Sequence, residues 1–213
     1  MSSIKNPQIY KCPICNDIGY RQAKTPSGNE AVAPCICLLR RIKRTFFGDL
    51  FEEKTLDNYE GRNASMREAL RLIKRNPEGS FYIYGEVGLG KTHLLAAIYE
   101  KYYSSGLWLE TAILTETQLI ECIKDGSIRE KLKSKRAFII DDIGKIRVAD
   151  WQIEMLFNFY NDVYRYENII VISSNYTLQE LSGTAEEKGI YSPAIARRIA
   201  ERCTILQIQR GTN

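Results

Sequence analysis

The run Gly85-Glu86-Val87-Gly88-Leu89-Gly90-Lys91-Thr92 fits the spacing G-x-x-x-x-G-K-[ST], and it constrains the fold more than any other stretch. The apolar tetrad Phe81-Tyr82-Ile83-Tyr84 before it reads as a short buried strand, and Thr92 to Tyr103 reads as a helix. Glycines let the backbone curl so that successive N–H groups point at phosphate oxygens, and the helix start adds a positive dipole end. In such a loop Gly85, Glu86, Val87, Gly88, Leu89, Gly90, Lys91, Thr92 and His93 line the phosphates. Lys91 reaches the β- and γ-phosphates and the Thr92 hydroxyl ligates magnesium. The plainer alternative is a glycine-rich turn before a core helix. All fixed positions match, with strand and helix on the correct sides, so the expectation is nucleoside triphosphate binding.

At 213 residues the chain has room for one good-sized domain and a small appendage. An apolar share of 44% and a charged share of 26% are those of an ordinary globular protein. No apolar run approaches the ~20 residues of a membrane-spanning helix, and Met1 to Tyr10 lacks a signal-peptide core. The expected setting is cytoplasmic, with no membrane partner. A net charge of +4 is too small by itself to argue for nucleic acid. The charge is clustered, however, at Arg40, Arg41, Lys43 and Arg44 and again at Arg129, Lys131, Lys133, Lys135 and Arg136. Taken singly, each cluster reads as a solvated helix face.

Four of the six cysteines fall within the first 37 residues, as Cys12-Pro-Ile-Cys15 and Cys35-Ile-Cys37. Clustered cysteines in a cytosolic chain argue for metal over disulfides. Four thiolates from two short loops suit tetrahedral zinc, with no position left open for catalysis. An iron–sulfur cluster or a redox pair are the alternatives. A segment this short buries too little core to fold alone, so the metal would supply folding energy. Cys122 and Cys203 read as packed core thiols.

The expected domains are a four-cysteine module over 1–45, a linker over 46–64 docking on the main domain, and a nucleotide-hydrolysing domain over 65–213. Ser65 to Lys74 reads as a helix opened by a Ser65–Glu68 capping box. Leu107 to Leu114 reads as a second strand, followed by a short helix over Glu116 to Ile123 and a basic one over Ser127 to Ser134. Ala137-Phe138-Ile139-Ile140-Asp141-Asp142 is an apolar strand ending in two acids about 50 residues beyond the phosphate loop. Asp141 would support magnesium there, and Asp142 would polarise the attacking water. Asp150 to Tyr164 reads as an amphipathic helix with Trp151, Met155, Leu156 and Phe159 inward. Glu167 to Asn175 reads as a fourth buried strand. Asn175 either meets the ligand crevice at the strand's carboxyl end or caps a helix over Leu178 to Leu181. A basic helix over Pro193 to Arg202 and a fifth strand over Thr204 to Ile208 complete a three-layer α/β domain with a mostly parallel five-stranded sheet.

Tyr84 to Leu95, Ile139-Ile140-Asp141-Asp142-Ile143-Gly144, Trp151-Gln152, Ser173-Ser174-Asn175 and Ala196 to Arg202 together resemble AAA+ ATPases of the DnaC/DnaI helicase-loader group. The transposition helper IstB and the initiator DnaA are related to that group. The resemblance covers residues 50 to 213, and the cysteine module followed by Thr55-Leu56-Asp57-Asn58-Tyr59 favours a loader. It implies ATP and magnesium at the phosphate loop, beside zinc at the cysteines. It casts Asn175 as sensor 1 on the γ-phosphate or water, and Arg202 as an arginine finger completing a neighbouring copy's site, with Arg198 one turn earlier as competitor. Asp142 stands where many AAA+ proteins have Glu, which implies slow hydrolysis. The basic segment Thr115 to Lys135 corresponds to the insertion that lines single-stranded DNA, where phosphate tracking needs such charge. The implied partners are a replicative DNA helicase, single-stranded DNA and further copies of the chain. An IstB-like helper or a DnaA-like initiator on duplex DNA is the alternative. Few residues follow the last strand, so no helical lid is expected and no sensor-2 arginine unless Arg210 serves.

Overall fold

A computed structural model describes residues 12–25, 27–146, 148–183 and 189–210, so the expectation for Met1 to Tyr10 lies outside the described residues. The chain divides into two compact units, Met1–Glu53 and Lys54–Asn213. The expected boundaries at 45/46 and 64/65 bracket that division.

The first unit holds an antiparallel hairpin, β1 (Tyr20–Lys24) and β2 (Glu30–Pro34), then the helix α1 (Ile36–Phe47) and a short 3-10 turn over Asp49–Phe51. Several of its hydrophobic side chains, among them Ile14, Ile18, Val32 and Leu50, are exposed. Its buried centre is formed by Cys12, Cys15, Cys35 and Cys37, with Ile36 packed against them.

The second unit opens with α2 (Ala64–Arg75) and β3 (Phe81–Tyr84), followed by α3 (Lys91–Ser105). Next come β4 (Thr111–Thr115), α4 (Glu116–Lys124), α5 (Ile128–Ser134), β5 (Ala137–Ile143) and α6 (Asp150–Arg165). It closes with β6 (Ile169–Ser174), α7 (Leu178–Ser182), α8 (Pro193–Arg202) and β7 (Thr204–Gln207). The strands form one sheet in the order β4-β5-β6-β3-β7, and every pairing is parallel. The near-continuous apolar strands follow from that, because a parallel sheet is covered on both faces. Tyr82, Leu114, Phe138, Ile140 and Ile172 meet α4, α5, α6 and α8 in one core. The alternate residues Ile83, Ile139 and Val171 are also fully buried, on the opposite face, where α3 packs across β5 and β6. The expected three-layer α/β architecture is present. Among the described residues no helix is long and apolar enough to cross a membrane.

Four local expectations are corrected. Leu107–Glu110 is a 3-10 turn, so the second strand begins only at Thr111. Hydrogen bonds from Thr111 Oγ1 to the Leu107 carbonyl (2.8 Å) and from Tyr99 Oη to the Trp108 carbonyl (3.4 Å) hold it. The capping residue of α2 is Asn63, whose side chain accepts from Met66 N at 3.0 Å, while Glu68 pairs with Arg71. The capping residue of α7 is Thr177 and not Asn175. Trp151 faces outward, 52% exposed, with Lys124 Nζ over its ring at 5.4 Å. Leu156, Phe159, Tyr160 and Val163 form the buried stripe of α6. Trp151 lies five residues before Leu156, about 140° around the helix from it.

Candidate active site

All four sheet pairings run parallel, so the carboxyl ends of β3, β5 and β6 open at one edge, where ligands of such sheets bind. The phosphate loop leaves β3 there. Gly85 has φ 153° and passes so close to β7 that a Cβ on it would lie 2.0 Å from the Ile208 carbonyl oxygen. Gly88 and Gly90 adopt φ 83° and 84°, which turns the chain into α3. Lys91 is buried, its Nζ donating to the carbonyls of Gly85 (2.7 Å) and Glu86 (2.8 Å). Burial pushes its ammonium below the usual lysine range. Glu86 pairs with Arg210 at 3.1 Å, which brings Arg210 over the loop.

Thr92 Oγ1 donates to Asp141 Oδ2 at 3.1 Å, across the neighbouring tips of α3 and β5. This hydroxyl and carboxylate are the hard oxygen donors magnesium takes, and they are adjacent, so the residues fit the ion. Burial raises the Asp141 carboxyl above the ordinary range, against the hydrogen bond it accepts from Ser173 Oγ. Asp142 follows in a β-bulge where the β5–β6 register shifts between Ile140 and Ile143, and its φ is 68°. Its backbone N–H is held by Ser173 Oγ at 2.8 Å, and its carboxylate pairs with Lys145 Nζ. A bulge at a functional strand end re-aims one side chain. Here it turns Asp142 while Asp141 stays beside Thr92.

Asn175 directly follows β6, half-buried, next to the Ser174 carbonyl that accepts from Gly85 N at 3.3 Å. It therefore lies at the same sheet edge as the loop and the two aspartates. Arg202 does not. Its guanidinium donates to the carbonyls of Glu167 and Asn168, with Nε to Asn168 at 3.1 Å, before the amino end of β6. Arg198 pairs with Glu201 at 2.7 Å and stacks over Tyr164 at 5.4 Å.

Beside the loop a cleft of about 490 Å³ is lined by Asn58, Tyr59, Asn63, Val87, His93 and Arg210 among others. Tyr59 Oη donates to the Leu89 carbonyl at 3.3 Å, and His93 meets the Tyr59 ring edge-on at 5.1 Å. Burial raises the Tyr59 hydroxyl to about 12. His93 Nε2 also lies 3.2 Å from the Thr55 carbonyl, so its side chain braces the 55–59 turn.

In the first unit the four sulfurs of Cys12, Cys15, Cys35 and Cys37 lie within 4.8 Å of one another, all buried. Cys12 and Cys35 sulfurs are 3.8 Å apart, and Cys15 and Cys37 sulfurs 3.3 Å. Tetrahedral zinc with ~2.3 Å bonds spaces its sulfurs about 3.8 Å, so the residues fit the ion. The knuckle is built by Asn16 and Asp17 at φ 49° and 67°, with Gly19 N donating to Cys15 Sγ at 3.3 Å. Backbone N–H groups of Cys15 and Ile14 lower the Cys12 thiol to about 7, while burial raises Cys37 to about 12.

Ser173, Lys145 and Glu116 are the residues that sequence reasoning missed. Ser173 was visible only as part of Ser-Ser-Asn. Glu116 was read only as the start of a short helix, and Lys145 belongs to no motif. The role of Ser173 arises from β6 lying beside β5 and that of Glu116 from β4 lying beside β5, while Lys145 meets Asp142 three residues before it.

The Bacterial DnaA ATPase domain family matches residues 52–188. The chromosomal replication initiator protein DnaA of Kosmotoga olearia is 34% identical over 157 residues, 68% of this chain and 35% of the relative. The chain thus spans about a third of the length of the curated relatives it matches. The crystal structure of the DnaC helicase loader superposes with a TM-score of 0.60 at 25% identity, covering 75% of this chain and 98% of that one. The crystal structure of DnaI, at 17% identity and covering 80% of this chain and 92% of that one, shares the fold with a TM-score of 0.63. With the phosphate loop, the paired aspartates and the strand order in place, the chain belongs to the bacterial DnaA ATPase-domain family, AAA+ ATPases of the replication initiator and loader type.

Proposed function

We propose that the chain is an ATP-dependent switch in replication that loads a replicative helicase onto single-stranded DNA. The observation that carries the ATPase part is the Thr92–Asp141 contact at 3.1 Å with Asp142 bulged beside it. The loop N–H groups and Lys91 bind the β- and γ-phosphates, Lys91 exchanging its loop carbonyls for phosphate oxygens. Thr92 and Asp141 would hold magnesium, which when bound would supply neutralisation of the developing phosphate charge. Asp142 orients a water whose oxygen bonds to the γ-phosphorus as the bond to the bridging oxygen breaks. ADP leaves with that electron pair, and the water's proton passes to Asp142 and on to solvent. Asn175, at the same sheet edge, contacts the γ-phosphate or the water.

Arg202 is committed to its own chain's carbonyls, so the finger reaching a second copy's phosphates is Arg198, whose partners among the described residues are Glu201 and the Tyr164 ring. The exposed Arg129 and Lys133 of α5 supply charge for tracking a single strand. Cys12, Cys15, Cys35 and Cys37 hold zinc as a structural ion, with no open position. We place the protein in the cytoplasm.

The four-sulfur module supports a loader. An initiator acting on duplex DNA is the second reading, favoured by the 34% identity to DnaA. The discriminating experiment incubates the full chain and ATP with the host replicative helicase, and separately with duplex DNA. Capture of the helicase, enhanced by single-stranded DNA, is the expected result. A chain that ignores the helicase yet coats duplex DNA is an initiator or transposition helper.

A further inference from the structure

Glu116 is 2% exposed and opens α4, far from any role an ordinary first-turn acid plays. Its Oε1 accepts from Gly144 N at 3.1 Å and from Tyr191 Oη. Its Oε2 accepts from Lys145 N at 3.0 Å and Ile146 N at 3.1 Å. One buried carboxylate therefore gathers three consecutive amides of the loop that leaves β5, and a tyrosine from the segment before α8. Ser174 Oγ fixes the start of the same loop by donating to the Ile143 carbonyl at 2.9 Å. The loop has little freedom as a result. Lys145, whose side chain is exposed, lies with its ammonium on Asp142 Oδ2.

We propose that Lys145, aimed by Glu116, is a positioning residue that holds Asp142 in a resting pair, and that this pair must open before Asp142 can accept the water's proton. The inference rests on the ATPase reading above. A carboxylate works as a base through a lone pair directed at the water, and the ammonium occupies one of the two oxygens that could supply it. The Lys145 side chain is 55% exposed, so the pair is at the mouth of the site and not sealed in it. An exposed ion pair of this kind is worth little, so it can open at modest cost when a bound γ-phosphate offers the ammonium a stronger partner. The bulge at Asp142 contributes as well, since φ 68° turns its side chain towards the loop that carries Lys145. The site is thereby slow at rest for a reason beyond the short side chain of Asp142.

The test measures steady-state ATP hydrolysis and the affinity for a fluorescent ATP analogue in the full chain and in Lys145→Met, Lys145→Arg and Glu116→Gln. Lys145→Met is expected to raise kcat about tenfold, a fraction of what a general base supplies, with affinity for the analogue unchanged. Lys145→Arg restores the low rate, because a guanidinium can hold the same oxygen. Glu116→Gln raises kcat in the same direction, since an amide cannot accept all of these N–H bonds. Binding of the analogue in every variant reports that the fold is kept. Hydrolysis by the native chain with an equal or lower kcat in Lys145→Met overturns the resting pair and leaves the ATPase reading standing. Binding without hydrolysis in both the native chain and Lys145→Met overturns the ATPase reading and the pair with it. Hydrolysis in Lys145→Met alone supports the pair.

Discussion

Gly85 has no substitute. Its φ of 153° and the Ile208 carbonyl 2.0 Å from where a Cβ would sit leave no room for even a methyl group. Gly85→Ala is expected to lose nucleotide binding and to cost more than about 2 kcal/mol, since strain and a displaced β7 add. Fluorescent-ATP titration and thermal unfolding check both. A variant that binds ATP normally with an unchanged melting temperature shows that the loop tolerates a Cβ. Ser173 shows how much one small side chain can organise. Its hydroxyl donates to Asp141 and accepts from the Asp142 amide at 2.8 Å, so neighbouring acids are set by a single oxygen.

Among the elements, the cysteine knuckles are where the proposed zinc would matter most. The four thiols and Ile36 form the buried cluster between the knuckles, while Ile14, Ile18 and Val32 stay exposed, so little apolar surface is hidden there. Chelation of the metal is expected to unfold residues 12–47 while the phosphate-loop domain still binds nucleotide. Limited proteolysis with metal analysis reads this out, and a protease-resistant module free of metal contradicts it. To bind the proposed zinc, two of the thiols must lose protons that the pocket favours keeping, with Cys37 at about 12 and Cys35 also raised by burial. Metal uptake therefore releases protons, and affinity rises with pH.

The strands and the phosphate loop were legible at this scale because apolar runs of four to seven residues between turn signals leave few choices. Leu107-Trp108-Leu109 misled for the same reason, being apolar without being strand. The burial of Leu107 and Trp108 comes from a 3-10 turn, which periodicity does not separate from a strand this short. Trp151 misled because an aromatic on an amphipathic helix suggests core, yet its angle from Leu156 points it to water. The capping of α2 by Asn63 was hidden by a better-looking Ser65–Glu68 pair. The Glu116 nest depends on contacts between separate elements, which no local pattern contains, and the Asp142–Lys145 pair, three residues apart, depends on the bulge at Asp142.

At the scale of the whole molecule, the proposed completion of one copy's site by another turns on two arginines of α8. Arg202 holds two carbonyls before β6, which ties α8 to the sheet. Arg202→Ala is expected to lower stability by about 1–2 kcal/mol, the range for hydrogen bonds from charged donors, without a specific effect on assembly-stimulated hydrolysis. Arg198→Ala is expected to keep stability and ATP binding but lose about 10³-fold of the stimulated rate, the scale of a finger supplied in trans. Denaturation curves beside ATPase rates at rising protein concentration separate the two. Stimulation that survives in Arg198→Ala and disappears in a fully folded Arg202→Ala returns the finger to Arg202.

The phosphate-loop strand β3 lies between β6 and β7, so its two neighbours are made roughly 90 and 120 residues after it during synthesis. Ile208 N donates back to the Tyr84 carbonyl at 2.8 Å, at the first step of the loop. Contacts so distant along the chain form late and close slowly. A nascent chain on the ribosome cannot complete this loop until β7 and Ile208 have emerged. Competence to bind ATP therefore waits on the last strand of the sheet, long after the loop itself has been made.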